Sequence, residues 1–273
     1  MYNKFYKLKE NPFNQTPDTR FFFPSQKHTE ALSNLIYSVN ERKGFVVITG
    51  EIGSGKTTVC RVLLNQLNHG ARVALINNTH LTKKQLISSI LEDLEVPFNN
   101  SGTKSQLLSA LNKFLIHQLS LDFNVVLIID EAQNLSPDIL EEVRMLSNLE
   151  TEREKLIQII LLGQPNLRKK LDLKELEQLK QRISLYFHLQ PLTKEESREY
   201  IHHRLKLSSA NGFSPIFSAE ALERIFIHSG GIPRLINSIC DRALLSGYIK
   251  DSPIIGEATI EEAADEIRIK KEN

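Results

Sequence analysis

The chain has 273 residues and a formal net charge of +1, from 34 Lys and Arg against 33 Asp and Glu. Hydrophobic residues at 41% and charged residues at 25% are ordinary globular usage. This excludes a disordered chain, which lacks the apolar surface to offset the entropy of ordering. The even charge balance sets up no strong field for nucleic acid or an anionic membrane, no apolar run approaches ~18 residues, and Met1-Tyr2-Asn3-Lys4-Phe5 has no signal core; a soluble, cytoplasmic chain is expected.

Residues 1–27 are rich in Phe, Pro, Asn and Gln and read as an irregular arm. Its aromatics, Phe13, Phe21, Phe22 and Phe23, are too many for a free tail and should pack on the body. From His28 to Glu41, Leu32, Leu35, Ile36 and Val39 recur at helical spacing. Short apolar runs then alternate with amphipathic segments: Phe45–Ile48, Val73–Ile76, Val125–Ile129, Ile157–Leu162 and Ile183–Phe187. Continuous apolar runs of this length read as strands buried on both faces. Five of them with intervening helices predict an α/β three-layer sandwich around a five-stranded parallel sheet, over residues 28–190.

Gln190-Pro191 ends that pattern, and residues 191–273 are periodic only as helices. Thr193 with Glu196 is a capping box; the helix behind it should run to about Ala210 and stop at Asn211-Gly212. Ser218 starts a second helix, Gly230-Gly231 breaks it, Ile232-Pro233 opens a third, and Ala258–Ile269 is a fourth. A small all-helical domain is expected. Cys60 and Cys240 both fall on helices and read as buried reduced thiols. The histidines show no metal-ligand spacing with cysteine.

Gly50-Glu51-Ile52-Gly53-Ser54-Gly55-Lys56-Thr57-Thr58 fits the phosphate-loop pattern G-x-x-x-x-G-K-[ST], with a strand before it and an amphipathic helix after it. Glycines let the backbone curl so that N–H groups point at phosphate oxygens, and the helix N-terminus adds partial positive charge. Lys56 is expected on the β- and γ-phosphates and the Thr57 hydroxyl on Mg²⁺. No Asn-Lys-x-Asp stretch reads guanine, so ATP is the expected nucleotide. Asp130-Glu131 closes the most apolar strand, at the edge where active sites of open α/β sheets lie. Asp130 can hold Mg²⁺ and Glu131 can orient and polarise the attacking water; a solvated helix start is the bland alternative. The quartet Asp130-Glu131-Ala132-Gln133 resembles a helicase box, but no second helicase motif is evident.

Gln164, after the fourth strand, can touch the γ-phosphate or the water, or be a turn residue. Arg182, before the fifth strand, can project into a neighbouring subunit's site, where its permanent charge suits a transferring phosphate, or be a surface charge. Arg153, in the charged loop Glu150–Lys155, is the rival finger. Arg234 sits at a helix start, where the dipole favours anions, so a role in cis toward the γ-phosphate would explain it better than a surface ion pair.

These residues resemble the AAA+ ATPases. More narrowly, Asn11-Pro12-Phe13, Pro17–Phe23, His28–Leu32 and Ile232–Asn237 make the chain similar to the ExeA-type family, the ATPase of general secretion pathway protein A. The resemblance implies an ATP- and Mg²⁺-dependent ATPase core with a helical lid, nucleotide between them, and homo-oligomers formed on ATP. It implies Glu131, Gln164, Arg182 and Arg234 as catalytic, sensing and finger residues, and Thr57 and Asp130 on the metal. It also implies service in envelope, secretion, pilus or polysaccharide assembly, with an inner-membrane or envelope partner. Secretion members carry a transmembrane helix and a periplasmic peptidoglycan-binding domain after the lid. This sequence stops at Asn273, so it reads as a shortened form or a member of a cytoplasmic branch. The alternative is a DNA-binding regulator of the transposition target-selector type, with Lys169, Lys170, Lys174, Lys180 and Arg182 as a basic face; the near-zero net charge argues against it.

Overall fold

The computed structural model describes residues 1–67, 70–152, 154–210 and 215–272. Five strands, β1 (Phe45–Gly50), β2 (Ala71–Ile76), β3 (Asn124–Ile129), β4 (Gln158–Gly163) and β5 (Ile183–Leu189), form one sheet in the order β2-β3-β4-β1-β5, every pair parallel. The helices are α1 (Tyr2–Phe5), α2 (Gln26–Asn40), α3 (Lys56–Gln66), α4 (Lys83–Asp93), α5 (Lys104–Ser120), α6 (Pro137–Leu146), α7 (Asn166–Leu171), α8 (Glu177–Lys180), α9 (Lys194–Ser208), α10 (Ala219–Ser229), α11 (Pro233–Ile249) and α12 (Glu257–Glu272). The chain divides into two compact units. One is Met1–His28, Glu51–Thr58 and Gln190–Asn273; the other is Thr29–Gly50 and Val59–Leu189.

In the sheet unit the central strands are apolar because both of their faces are covered. On one face Phe45, Val47, Val125, Leu127, Ile129, Ile159 and Leu161 join a cluster with the buried sides of α4, α5 and α6. Alternate residues on the other face, Val46, Ile48, Val126, Ile128, Ile160 and Leu162, are equally buried, as are the apolar stripes of α2 (Leu35, Val39) and α3 (Val59, Leu63). Three layers follow. The edge strands correct the expectation of uniform burial: in β2 only Ala74 and Ile76 are buried, and in β5 only Phe187 and Leu189, because each has a neighbour on one side only. Two capping boxes, Thr82 with Gln85 and Thr103 with Gln106, set the starts of α4 and α5 by satisfying N–H groups that have no acceptor inside the helix.

The helical unit is built on α9 to α12, and the N-terminal arm belongs to its core. Tyr6, Leu8 and Phe13 are buried with Ile201, Leu205, Ile236, Cys240 and Leu244. Leu8 makes an antiparallel bridge to Ser209, and Arg204, itself buried, donates to the Pro12 carbonyl (2.5 Å), the Asn14 carbonyl (3.3 Å) and the Tyr200 hydroxyl (2.7 Å). The arm is thus ordered by apolar burial and by one cation that satisfies backbone carbonyls. Thr193 and Glu196 form the capping box expected for α9, whose cap at the other end is Ser209; the expected stop at Asn211-Gly212 lies outside the described residues. Ser218 caps α10, Gly230 ends it and Pro233 opens α11. Both cysteines are free and buried, and burial pushes the Cys60 thiol up to about 12. Among the described residues no helix is long and apolar enough to cross a membrane.

Candidate active site

The phosphate-loop sequence leaves β1 at Gly50 and enters α3 at Lys56. Within the helical unit it is held tightly. Gly53 and Gly55 take φ of 80° and 101°, the left-handed region that a side chain disfavours. Space forbids a side chain as well. A Cβ at Gly53 would lie 2.3 Å from Arg234 Cβ, and one at Gly55 would lie 2.8 Å from His28 Nε2. The Arg234 N–H donates to the Gly53 carbonyl (3.2 Å), and the Ser54 N–H to the Glu51 carbonyl (3.1 Å). Lys56 is 6% exposed, with its ammonium 2.9 Å from the Glu51 carbonyl. The Ser54 hydroxyl is buried and has no hydrogen-bond partner among the described residues. A curled loop with a buried ammonium, an unsatisfied buried hydroxyl and a helix N-terminus has the donor set a polyphosphate requires, so the residues present fit a nucleotide. Ile52, also in the loop, is exposed.

The second group lies in the sheet unit, beyond the carboxyl ends of neighbouring strands. Ile129 is in register with Leu161, and Thr49 with Gly163, so Asp130 and Gln164 follow strands that finish at the same edge as β1. Asp130 is 9% exposed, and its Oδ1 accepts from the Glu131 N–H (2.9 Å). Glu131 has φ 51°, a costly backbone for a side-chain-bearing residue, and its carboxylate is exposed. Glu131 Oε2 accepts from Gln164 Nε2 (3.2 Å) and from Gln133 Nε2 (2.5 Å). Gln133 Oε1 in turn accepts from the Gln164 N–H (3.0 Å). Two residues singled out from sequence, Glu131 and Gln164, are therefore joined directly. Gln133, buried at 6%, is the member that sequence reasoning missed. The signal was available in the quartet Asp130–Gln133, which points to a helicase box before it points to a hydrogen bond.

The arginine and lysine candidates separate. Arg182 is half-buried and its Nη1 lies 3.4 Å from Ser147 Oγ, just past α6. Arg153 lies outside the described residues. Arg234 is exposed on the first turn of α11, its aliphatic stem against Gly53. The proposed basic face needs correction at Lys170. Lys170 donates to the Gln133 and Leu135 carbonyls (both 2.6 Å), pinning the turn after β3, and Lys180 pairs with Asp172 (2.5 Å). The helical turn that offers these charges to solvent in a sequence pattern folds Lys170 back onto backbone. Lys169 and Lys174 remain exposed. No cluster of three His, Cys, Asp or Glu side chains able to hold a metal ion occurs among the described residues.

Comparison with known proteins agrees with this reading of the fold. Residues 39–171 match the AAA domain family. The chain is 40% identical over 98% of its length to general secretion pathway protein A of Aeromonas hydrophila, and spans 48% of that relative. Among solved structures, the ORC2 protein of Aeropyrum pernix, in ADPNP–ADP complexes, superposes with a TM-score of 0.71 at 14% identity, covering 94% of this chain and 72% of that one. The ORC1 protein of the same organism, in complex with DNA, gives 0.69 at 17%, covering 96% and 70%. At these identities the structures speak to the fold alone. A parallel β2-β3-β4-β1-β5 sheet, the match of residues 39–171 to the AAA domain family and 40% identity across nearly the whole chain make this protein similar to general secretion pathway protein A, about half of whose length it spans.

Proposed function

We propose that the chain binds and hydrolyses ATP with Mg²⁺ and works as an ATP-dependent oligomeric switch in assembly of the bacterial envelope or a secretion system. The observation that carries the reading is the loop Glu51–Thr58, with two left-handed glycines, a buried lysine and a buried Ser54 hydroxyl that has no hydrogen-bond partner among the described residues. In this reading residues 28–190 are the ATPase core and 191–273 the lid. Backbone N–H groups of Gly50 to Thr58 cradle the phosphates, and Lys56 neutralises the β- and γ-oxygens. Thr57 and Asp130 would hold Mg²⁺, which supplies positive charge to the phosphates when bound. Glu131 takes the proton of the water that attacks the γ-phosphorus; that P–O bond forms as the bond to the β-phosphate oxygen breaks, and ADP and phosphate leave. The amides of Gln164 and Gln133 support this by holding Glu131 Oε2. Arg234 acts in cis as the lid's sensor of the γ-phosphate. Arg182 of a neighbouring copy serves as the finger, which makes hydrolysis depend on oligomer formation. The secretion role rests on the 40% identical relative, and a partner at the inner membrane would recruit an otherwise cytoplasmic protein.

The test is phosphate release from ATP by the purified chain, with and without duplex DNA at low salt. Turnover that Glu131→Gln removes while ATP still binds, and that DNA leaves unchanged, supports the assembly switch. Several-fold stimulation by DNA would move the assignment to the DNA-binding regulator and make Lys169 and Lys174 the next variants. No turnover in the parent chain, alone or concentrated, would overturn the ATPase reading.

A further inference from the structure

His28 is the last residue of the N-terminal stretch in the helical unit, and its imidazole is 6% exposed. Its Nε2 lies 2.9 Å from the carbonyl oxygen of Ser54, inside the phosphate loop. A carbonyl can only accept, so Nε2 carries the proton. Nδ1 is then the acceptor, and the Ser25 hydroxyl, 2.7 Å away and 3% exposed, donates to it. The same Ser25 oxygen accepts from the His28 backbone N–H (3.3 Å). The ring is therefore fixed at both nitrogens, and the edge of Phe22 closes one side at 6.2 Å between centroids. Burial also pushes the His28 pKa below the usual histidine value, with the Glu196 carboxylate opposing.

We propose that His28 is a positioning residue for the phosphate loop: by holding the Ser54 carbonyl it sets the Ser54–Gly55 peptide so that the Gly55 N–H is turned toward a bound phosphate. The reason is the planarity of the trans peptide, in which C=O and the following N–H point in opposite directions. A donor on the Ser54 oxygen therefore aims the Gly55 N–H away from His28. The next carbonyl back, Gly53, is held in the same manner by the Arg234 N–H (3.2 Å). Two consecutive peptides of the loop are thus oriented from two sides, by the arm and by the start of α11. The close approach of His28 Nε2 to Gly55 is a second reason that position is glycine. Without the brace, φ of 101° at Gly55 is one of many backbone states a glycine can visit, and nucleotide binding would have to supply the ordering entropy.

The proposal rests on the loop being an ATP site, and the experiment separates the two. Titrations with a fluorescent ATP analogue, and steady-state kinetics, are run on the parent chain, Lys56→Ala, His28→Leu, His28→Gln and Ser25→Ala. Glutamine places an N–H donor as many bonds from Cα as Nε2. His28→Leu is expected to raise Kd and KM about five- to tenfold, the worth of one hydrogen bond, with kcat at saturating ATP within about twofold. His28→Gln should return both to within about twofold of the parent, and Ser25→Ala should weaken binding about threefold. A merely structural histidine would instead lower the Tm of both His28 variants and leave nucleotide affinity alone. Parent-like affinity in His28→Leu, or equal weakness in His28→Gln, overturns the proposal. Should His28→Leu fail to fold, parent-like affinity in Ser25→Ala overturns it. If Lys56→Ala binds as well as the parent, the loop is not the ATP site and both readings fall. If Lys56→Ala loses binding while His28→Leu keeps it, only the assignment of His28 fails.

Discussion

Replacing Gln133 by leucine removes a buried amide while keeping nearly the same volume. Two hydrogen bonds go with it: Gln133 Nε2 to the Glu131 carboxylate (2.5 Å) and the Gln164 N–H to Gln133 Oε1 (3.0 Å). A hydrogen bond to a charged group contributes about 1.5–3 kcal/mol and a neutral one about 1 kcal/mol. The first is discounted here because Glu131 is exposed and its carboxylate regains water. The expected loss of stability is therefore about 1–2 kcal/mol, a fall in Tm of a few degrees. The effect on turnover should be larger in proportion. Gln164 Nε2, at 3.2 Å, becomes the remaining amide on Oε2, and its own backbone loses the anchor that Gln133 supplied. If Glu131 is the general base proposed above, it then samples orientations away from the attacking water, and kcat should fall about tenfold, a part of the 10²–10⁴ a positioned general base contributes. KM for ATP should stay within about twofold, since neither bond reaches the phosphate loop. The assay is phosphate release against ATP concentration, with thermal melting as the control. A parent-like or raised kcat in a folded Gln133→Leu protein would refute the claim that this amide holds the carboxylate in its working orientation.

Other outcomes follow from the same structure. Arg182→Ala should keep nucleotide affinity and lose turnover by about 10³-fold if it is the finger. Mixing it with Lys56→Ala subunits should restore part of the activity, and no rescue at any ratio would remove the assignment in trans. Arg204→Met should destabilise the helical unit by about 3–5 kcal/mol in urea, because the Pro12 and Asn14 carbonyls and the Tyr200 hydroxyl all lose a charged donor; parent-like unfolding would show the arm is held by apolar burial alone. Stability should also fall with acid. Burial lowers the pKa of His28, His203 and His202 beneath the ordinary 6.5, so the unfolded chain takes up protons first and the folded state loses ground as pH drops through that value. Between pH 7.5 and 5.5 the urea midpoint should fall less for His28→Gln than for the parent; identical slopes would show that His28 contributes nothing.

Much of this protein is legible before any fold is known. Gly53, Gly55 and Lys56 follow a spacing whose reason is local: a tight curl needs left-handed backbone, and a helix must start next to it. The central strands announce themselves as unbroken apolar runs because helices cover both faces, and Thr193 with Glu196 marks a helix start through a bond that spans three residues. Those signals lie within a few positions of each other, where sequence order and spatial order coincide. The partners that complete the candidate site do not. His28 meets Ser54 across 26 positions, Gln133 meets Gln164 across 31, and Lys170 folds back on Gln133 across 37. Nothing in the composition near His28 distinguishes a loop brace from a core histidine, and Lys170 reads as a surface charge until two carbonyls face it. The same holds for β2, whose apolar run looks central until the strand order puts it at the edge. Sequence alone determined the class of fold, and it singles out the Gly50–Thr58 loop and the Asp130-Glu131 pair as candidates, since each is encoded by local backbone requirements or by periodicity. Tertiary structure alone decided which amide holds Glu131, which ring holds the loop and which lysines are spent on backbone, because those are pairings of distant residues that only the packed sheet and helices bring within hydrogen-bond reach.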